Sequence, residues 1–216
     1  MGRPDAIPFM TKFGINTENA YGVSLPNLRR LAKIIGKDHN LAHQLWETEI
    51  HDARLLASLV AEADKVTKTE MNNWAKGFYS WDVCDQFCNN LFVYTPFTYD
   101  KAIEWSGKKP EYYKRAGFVL MAVSAVHKKN WDDETFHTFF PIIKSEAIDD
   151  RNFVKKAVNW ALRQIGKRNY QLNKNAIKLA KEIQLLDSKS ARWIAKDALR
   201  ELTNPQTISR IRAKCG

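Results

Sequence analysis

The sequence predicts an all-α protein, a single α-solenoid of antiparallel helix pairs spanning residues 1–216. Apolar residues recur three and four positions apart along the chain, and alternating β-branched runs are nearly absent. The expected helices group into pairs starting near residues 24, 50, 81, 110, 149 and 187, intervals in the range of helical repeats. One segment also echoes another: Trp160-Ala161-Leu162-Arg163-Gln164-Ile165 against Asp197-Ala198-Leu199-Arg200-Glu201-Leu202. Arg115-Ala116 and Lys156-Ala157 sit at similar points of successive helices. Stacked pairs of this kind bury one continuous core and expose a concave face.

Taken in order, Ser24 opens the first clear helix, 24–36, with Pro26 in its first turn and Gly36 at its end. Further helices are expected near 39–46, 51–63, 67–78, 81–94, 98–106, 110–128, 133–145, 150–167, 171–184, 188–202 and 205–214. Gly77, Gly107 and Gly166 follow periodic segments as left-handed caps do. Asp132, Asp149 and Ser188 stand where N-caps belong. No Gly/Ser-rich linker interrupts the series, so one domain is expected.

The composition, 44% hydrophobic and 27% charged, is that of a globular chain and excludes disorder. Lys and Arg number 34 against 24 Asp and Glu, a formal charge of +10. Residues 1–143 carry 17 side chains of each sign, whereas residues 144–216 carry 17 basic and 7 acidic. This segregation favours a surface facing a polyanion, nucleic acid before membrane, over merely solvated helix faces, and makes the concave face the basic one. Three cysteines, Cys84, Cys88 and Cys215, give no disulfide framework and fit a reducing compartment. Without a membrane-length apolar run or a signal-peptide core, the expected location is cytoplasmic, nucleoid-associated when bound to DNA, and the expected state monomeric.

Two clusters can carry chemistry. In the helix at 150–167, Val154, Val158, Ala161, Leu162 and Ile165 form the core stripe. Lys156, Trp160, Arg163 and Lys167 share another face, with Arg168 beside them, and an indole among cations suits a polyanion. Trp81 and Asp85, four apart, meet on one side of the first turn of the helix at 81, with Asp82 off that side. A carboxylate beside an indole can stabilise positive charge developing on a sugar ring. His39 and His43 share a helix face without an obvious carboxylate or cysteine to complete a metal set. Cys84 and Cys88, spaced C-x-x-x-C, are expected in the core. With no phosphate-cradling glycine loop and no nucleophile elbow, neither a cofactor nor a metal is expected. On these residues alone an enzyme, a non-catalytic helical-repeat DNA or RNA binder and a protein-interaction scaffold all remain open.

Tyr21-Gly22-Val23-Ser24-Leu25-Pro26-Asn27-Leu28-Arg29, Ser80-Trp81-Asp82-x-x-Asp85, Lys114-Arg115-Ala116, Lys155-Lys156-Ala157-Val158-Asn159-Trp160-Ala161-Leu162-Arg163 and Asp197-Ala198-Leu199-Arg200 together cover most of the chain. In these segments the chain resembles the AlkD-like DNA alkylation repair family, HEAT-like-repeat DNA glycosylases that release N3- and N7-alkylated purines. The resemblance implies double-stranded DNA containing alkylated purines as substrate. It implies Asp85 as the catalytic carboxylate, Trp81 and Trp160 as the aromatic pair beside it, and Arg115 as a contact to the DNA backbone near the lesion. It further implies that the concave surface holds a distorted duplex, with the lesion outside any tight pocket. The segment ahead of Gly22 leaves little room for the family's N-terminal helices.

Overall fold

The computed structural model describes residues 2–215, with side chains through Ala213, so the Cys215 thiol lies outside the described residues. Every regular element among them is helical, and none is long and apolar enough to cross a membrane. The chain divides into two compact units, Met1–Phe97 and Thr98–Gly216.

The first unit holds a 3-10 turn at Pro4–Ala6, then α1 (Ile7–Lys12), α2 (Leu25–Ile35), α3 (His39–Glu47), α4 (His51–Val60), α5 (Lys68–Lys76) and α6 (Trp81–Asn90). A further 3-10 turn follows at Phe92–Tyr94, where the sequence predicted that the helix would continue. The short segment ahead of Gly22 thus accommodates α1, which periodicity did not reveal. Helices α2, α4 and α6 lie side by side, and α3 packs on α4. Buried Asp52 on α4 accepts hydrogen bonds from the Tyr21 and Val23 amides, both at 2.6 Å, and so ties the incoming chain to the helix layer. Asp38 caps α3 through the Leu41 amide, and Thr67 with Glu70 forms a reciprocal capping box on α5. Trp46, Trp74, Phe78, Phe87 and Phe92 interlock in the core, mostly at tilted or edge-on angles, with Trp74 stacked on Phe92.

The second unit holds α7 (Thr98–Ser106), α8 (Glu111–His127), α9 (Asp133–His137), α10 (Phe139–Glu146), α11 (Asn152–Gly166), α12 (Tyr170–Gln184), α13 (Lys189–Leu202) and α14 (Pro205–Cys215). Helices α8, α11 and α13 form one layer, while α7, α10, α12 and α14 follow one another in a second. The echoed segments therefore lie on neighbouring helices, α11 and α13. Ala116, Ala157 and Ala198, each fully buried, let the helices of the first layer approach.

Several local expectations change. The helix expected over 133–145 breaks at Thr138, because Pro141 lacks the N–H that would bond back to His137. Left-handed glycines are Gly14, Gly22 and Gly36, so Gly77, Gly107 and Gly166 are not the caps expected. Gly77 instead makes room for an indole, since a Cβ there would stand 2.7 Å from Trp46 Cζ2. Gly166 lies inside α11, where a Cβ would come within 2.8 Å of Ala176 and Leu202. Asp132 and Ser188 cap α9 and α13 as expected. Asp149 caps nothing; α11 starts after Arg151, which the Asp149 carboxylate grips through its amide and guanidinium.

Candidate active face and nucleic-acid interface

In the first unit the site is built on α6. Val83, Cys84, Phe87 and Cys88 are fully buried and fix which side of the helix meets the core. Trp81, at the first helical position, and Asp85, one turn on, share a different, half-buried side. The Trp81 indole Nε1–H donates to the Phe13 carbonyl at 3.1 Å, which pins the ring. The acid of the first turn is Asp82, not Asp85. Asp82 is buried, accepts from Ser80 Oγ at 2.6 Å and from the Val83 amide at 3.0 Å, and faces His51 Nε2 at 2.9 Å. The other nitrogen of His51, itself 1% exposed, pairs with the Tyr79 hydroxyl at 3.1 Å. Burial pushes the Tyr79 phenol up to about 12, so it stays a neutral partner. This network locks the start of α6 and with it the Trp81–Asp85 side.

In the second unit α11 keeps the predicted division. Val154, Val158, Ala161, Leu162 and Ile165 are completely buried, Lys156 is exposed, and Trp160, Arg163 and Lys167 are half-buried. The cations are not loose. Arg163 Nη1 donates to Asp197 Oδ2 at 2.7 Å and Lys167 Nζ to Glu201 Oε1 at 2.6 Å, two rungs between α11 and α13. Asp197 also accepts from Asn159 Nδ2 and pairs with Arg200. Burial pushes the Asp197 carboxyl up, but the Asn159 hydrogen bond and the charges of Arg163 and Arg200 outweigh it and hold it below its ordinary value.

Two expected phosphate contacts have internal tasks. Arg115 on α8 is 5% exposed and donates from Nη1 to the Phe153 carbonyl at 2.6 Å, joining α8 to the first turn of α11. Arg168, just beyond α11, donates to the carbonyls of Ala125, Lys129 and Trp131 at 3.2, 3.1 and 2.8 Å and lies over the Phe136 ring. Neither set of partners was readable from spacing, because each joins segments about 40 residues apart in sequence.

The structure also supplies what the histidine pair lacked in the sequence. Glu70 on α5 places Oε1 3.1 Å from His39 Nε2 and 3.0 Å from His43 Nε2. Burial pushes its carboxyl up, but hydrogen bonds from Thr67 and both imidazoles bring it down to about 2.

A profile of the DNA alkylation repair enzyme family matches residues 1–202. No curated protein matches the chain. One solved structure is similar with a TM-score of 0.77 and 20% sequence identity, over 92% of this chain and 89% of that one. It represents a family of proteins related to the HEAT-like repeat DNA glycosylases with affinity for branched DNA structures. At that identity the likeness shows the fold, that of HEAT-like helical repeats.

Proposed function

The chain belongs to the DNA alkylation repair enzyme family, and from that premise we propose that it is a DNA glycosylase hydrolysing the N-glycosidic bond of N3- or N7-alkylated purines in duplex DNA. The observation that carries this is the half-buried side of α6 that Trp81 and Asp85 share, with the start of the helix held by the Asp82–His51 network. An alkylated purine is cationic and departs as a neutral base, so a strong general acid is unnecessary. The demanding species is the oxocarbenium-like deoxyribose, which Asp85 stabilises while orienting the attacking water. Trp81 and Trp160 line the sugar and favour its cationic character through their π faces. Lys156, Arg163 and Lys167 bind phosphates along α11, and Arg115 contacts the backbone next to the lesion. In this reading Trp81 and Asp85 act from the first unit, and Arg115 and Trp160 from the second.

Binding of branched DNA without catalysis is a second reading, supported by what the similar structure's family binds. Single-turnover release of alkylpurine from methylated duplex, by wild type and Asp85→Asn, separates the two. Asp85→Asn is expected to slow release by about 10²–10³-fold, the scale of losing one preorganised electrostatic group, with duplex affinity unchanged. A wild type that releases no base yet prefers a four-way junction over duplex overturns the glycosylase reading.

A further inference from the structure

We propose that His39, His43 and Glu70 form a binding site for one divalent transition-metal ion, zinc by the chemistry of its donors. His39 and His43 stand one turn apart on α3, so both imidazoles project to the same side. The first turn of α5 brings the Glu70 carboxylate against them, and the three ligand atoms lie within 4.8 Å of one another. Zinc bonded tetrahedrally at ~2.0–2.1 Å needs ligand atoms ~3.3 Å apart. The separations from Glu70 Oε1, 3.1 and 3.0 Å, require adjustments of only a few tenths of an ångström.

The surroundings orient these ligands. Glu70 Oε2 is held by the Thr67 amide at 2.7 Å and its hydroxyl at 2.8 Å, which leaves Oε1 turned to the histidines. The Trp74 ring stacks on His43 at 5.0 Å and meets His39 edge-on at 6.0 Å. His39 Nδ1 is buried with no hydrogen-bond partner, so the ring is not aimed from that side. Packing on Trp74 and the Glu70 oxygen aim it. Exposure rises from 10% for the His39 side chain through 24% for Glu70 to 41% for His43, so the cluster opens on one side. An ion can enter there, and a water can complete the coordination. Two imidazoles and one carboxylate suit zinc and its transition-metal neighbours and disfavour magnesium and calcium, which take oxygen ligands. The bound ion would clip α3 to α5.

The test uses the full chain without a histidine tag, stripped with a chelator and titrated with Zn²⁺ by calorimetry, thermal unfolding being followed alongside. One Zn²⁺ per chain is expected, with a melting temperature that rises with ion concentration and does not respond to Mg²⁺. Copper(II) is expected to quench part of the tryptophan fluorescence, and that part to vanish in Trp74→Phe. Glu70→Gln keeps the capping box, because glutamine serves there too, and His43→Ala removes a half-exposed ring. Both should stay folded in chelator, Glu70→Gln with a lower melting temperature because it loses the carboxylate that Thr67 and both imidazoles contact, yet bind Zn²⁺ at least about 100-fold more weakly, since even losing an outer-shell partner costs 10–100-fold. His137→Ala, outside the cluster, should bind as wild type. No stoichiometric Zn²⁺ binding, or affinity indifferent to both variants, overturns the site and leaves a hydrogen-bonded cluster.

Discussion

Arg168→Ala is expected to destabilise the second unit while leaving the salt dependence of DNA binding unchanged. The guanidinium donates to three carbonyls from two stretches of chain, Ala125 in the last turn of α8 and Lys129 and Trp131 beyond it. The last carbonyls of a helix have no partner within it and carry the negative end of its dipole, so a cation there closes the helix. The same group covers the fully buried Phe136 ring, 4.6 Å from its centre. Hydrogen bonds from a charged donor contribute about 1.5–3 kcal/mol each but share one guanidinium here, so truncation is expected to cost about 2–4 kcal/mol in all. For a chain of this size that lowers the melting temperature by roughly 4–16 °C. Lys156→Ala is the comparison, because Lys156 is exposed on α11. It should leave stability within about 0.5 kcal/mol and reduce the slope of log affinity against log salt by about 0.9, one phosphate contact. Urea denaturation gives the first quantity, and fluorescence anisotropy on a labelled duplex at several salt concentrations the second. If Arg168→Ala melts like wild type and loses about 0.9 of the salt slope, Arg168 faces DNA and its role as a helix closure is wrong.

Asp82→Asn is expected to cost about 1–3 kcal/mol, the scale of disturbing a buried hydrogen-bonded group, because its new amide would confront His51 Nε2. Per folded molecule its base release should stay within about tenfold of wild type, far from the ~10²–10³ loss expected of Asp85→Asn; a greater loss makes Asp82 the acid that matters. Asp197 gives the pH dependence. Its carboxyl titrates lower in the folded state than in the unfolded chain, so its contribution is fully present above about pH 4 and is lost as pH falls through the depressed folded value. Urea midpoints of wild type and Asp197→Asn should therefore differ at pH 7 and converge below about pH 4; a gap that widens on acidification refutes the assignment.

What the sequence made legible was local. The stripe on α11 and the division of its faces follow from a 3.6-residue period, and the structure keeps them residue by residue. Cys84 and Cys88 fall in the core, as their C-x-x-x-C spacing led one to expect. The failures are of two kinds. Gly77 and Gly166 look like helix stops, but an indole and a neighbouring helix, both distant in sequence, require the missing Cβ. The break at Thr138 was readable, because Pro141 stood within the expected helix. Glu70 illustrates the second kind: it lies 27 residues beyond His43, and only the packing of α3 against α5 unites them. Arg115, assigned to DNA through the resemblance, and Arg168, assigned with the basic face of α11, also bond carbonyls of segments about 40 residues away, and a sequence does not display its carbonyls.

The charge map changes meaning for the same reason. The basic excess of residues 144–216 led to the expectation of a surface facing a polyanion, but Arg163 and Lys167, on the Trp160 face, are already paired. Arg163 and Lys167 stand four apart, as do Asp197 and Glu201, and both rungs span the same 34 residues, so α11 and α13 pair them in register. Partly exposed ion pairs of this kind contribute little stability, about 0–1 kcal/mol. Their effect is geometric: two long, flexible side chains are held in one orientation before DNA arrives, which lowers the conformational entropy lost on binding. A phosphate approaching that face meets fixed donors and competes with carboxylates that cost little to displace. Under the proposed function Lys156, exposed, supplies the diffuse attraction, whereas Arg163 and Lys167 supply position. On this division, removing Asp197 or Glu201 frees a cation without improving the fit, and the two acids belong to the interface although they carry the charge of DNA.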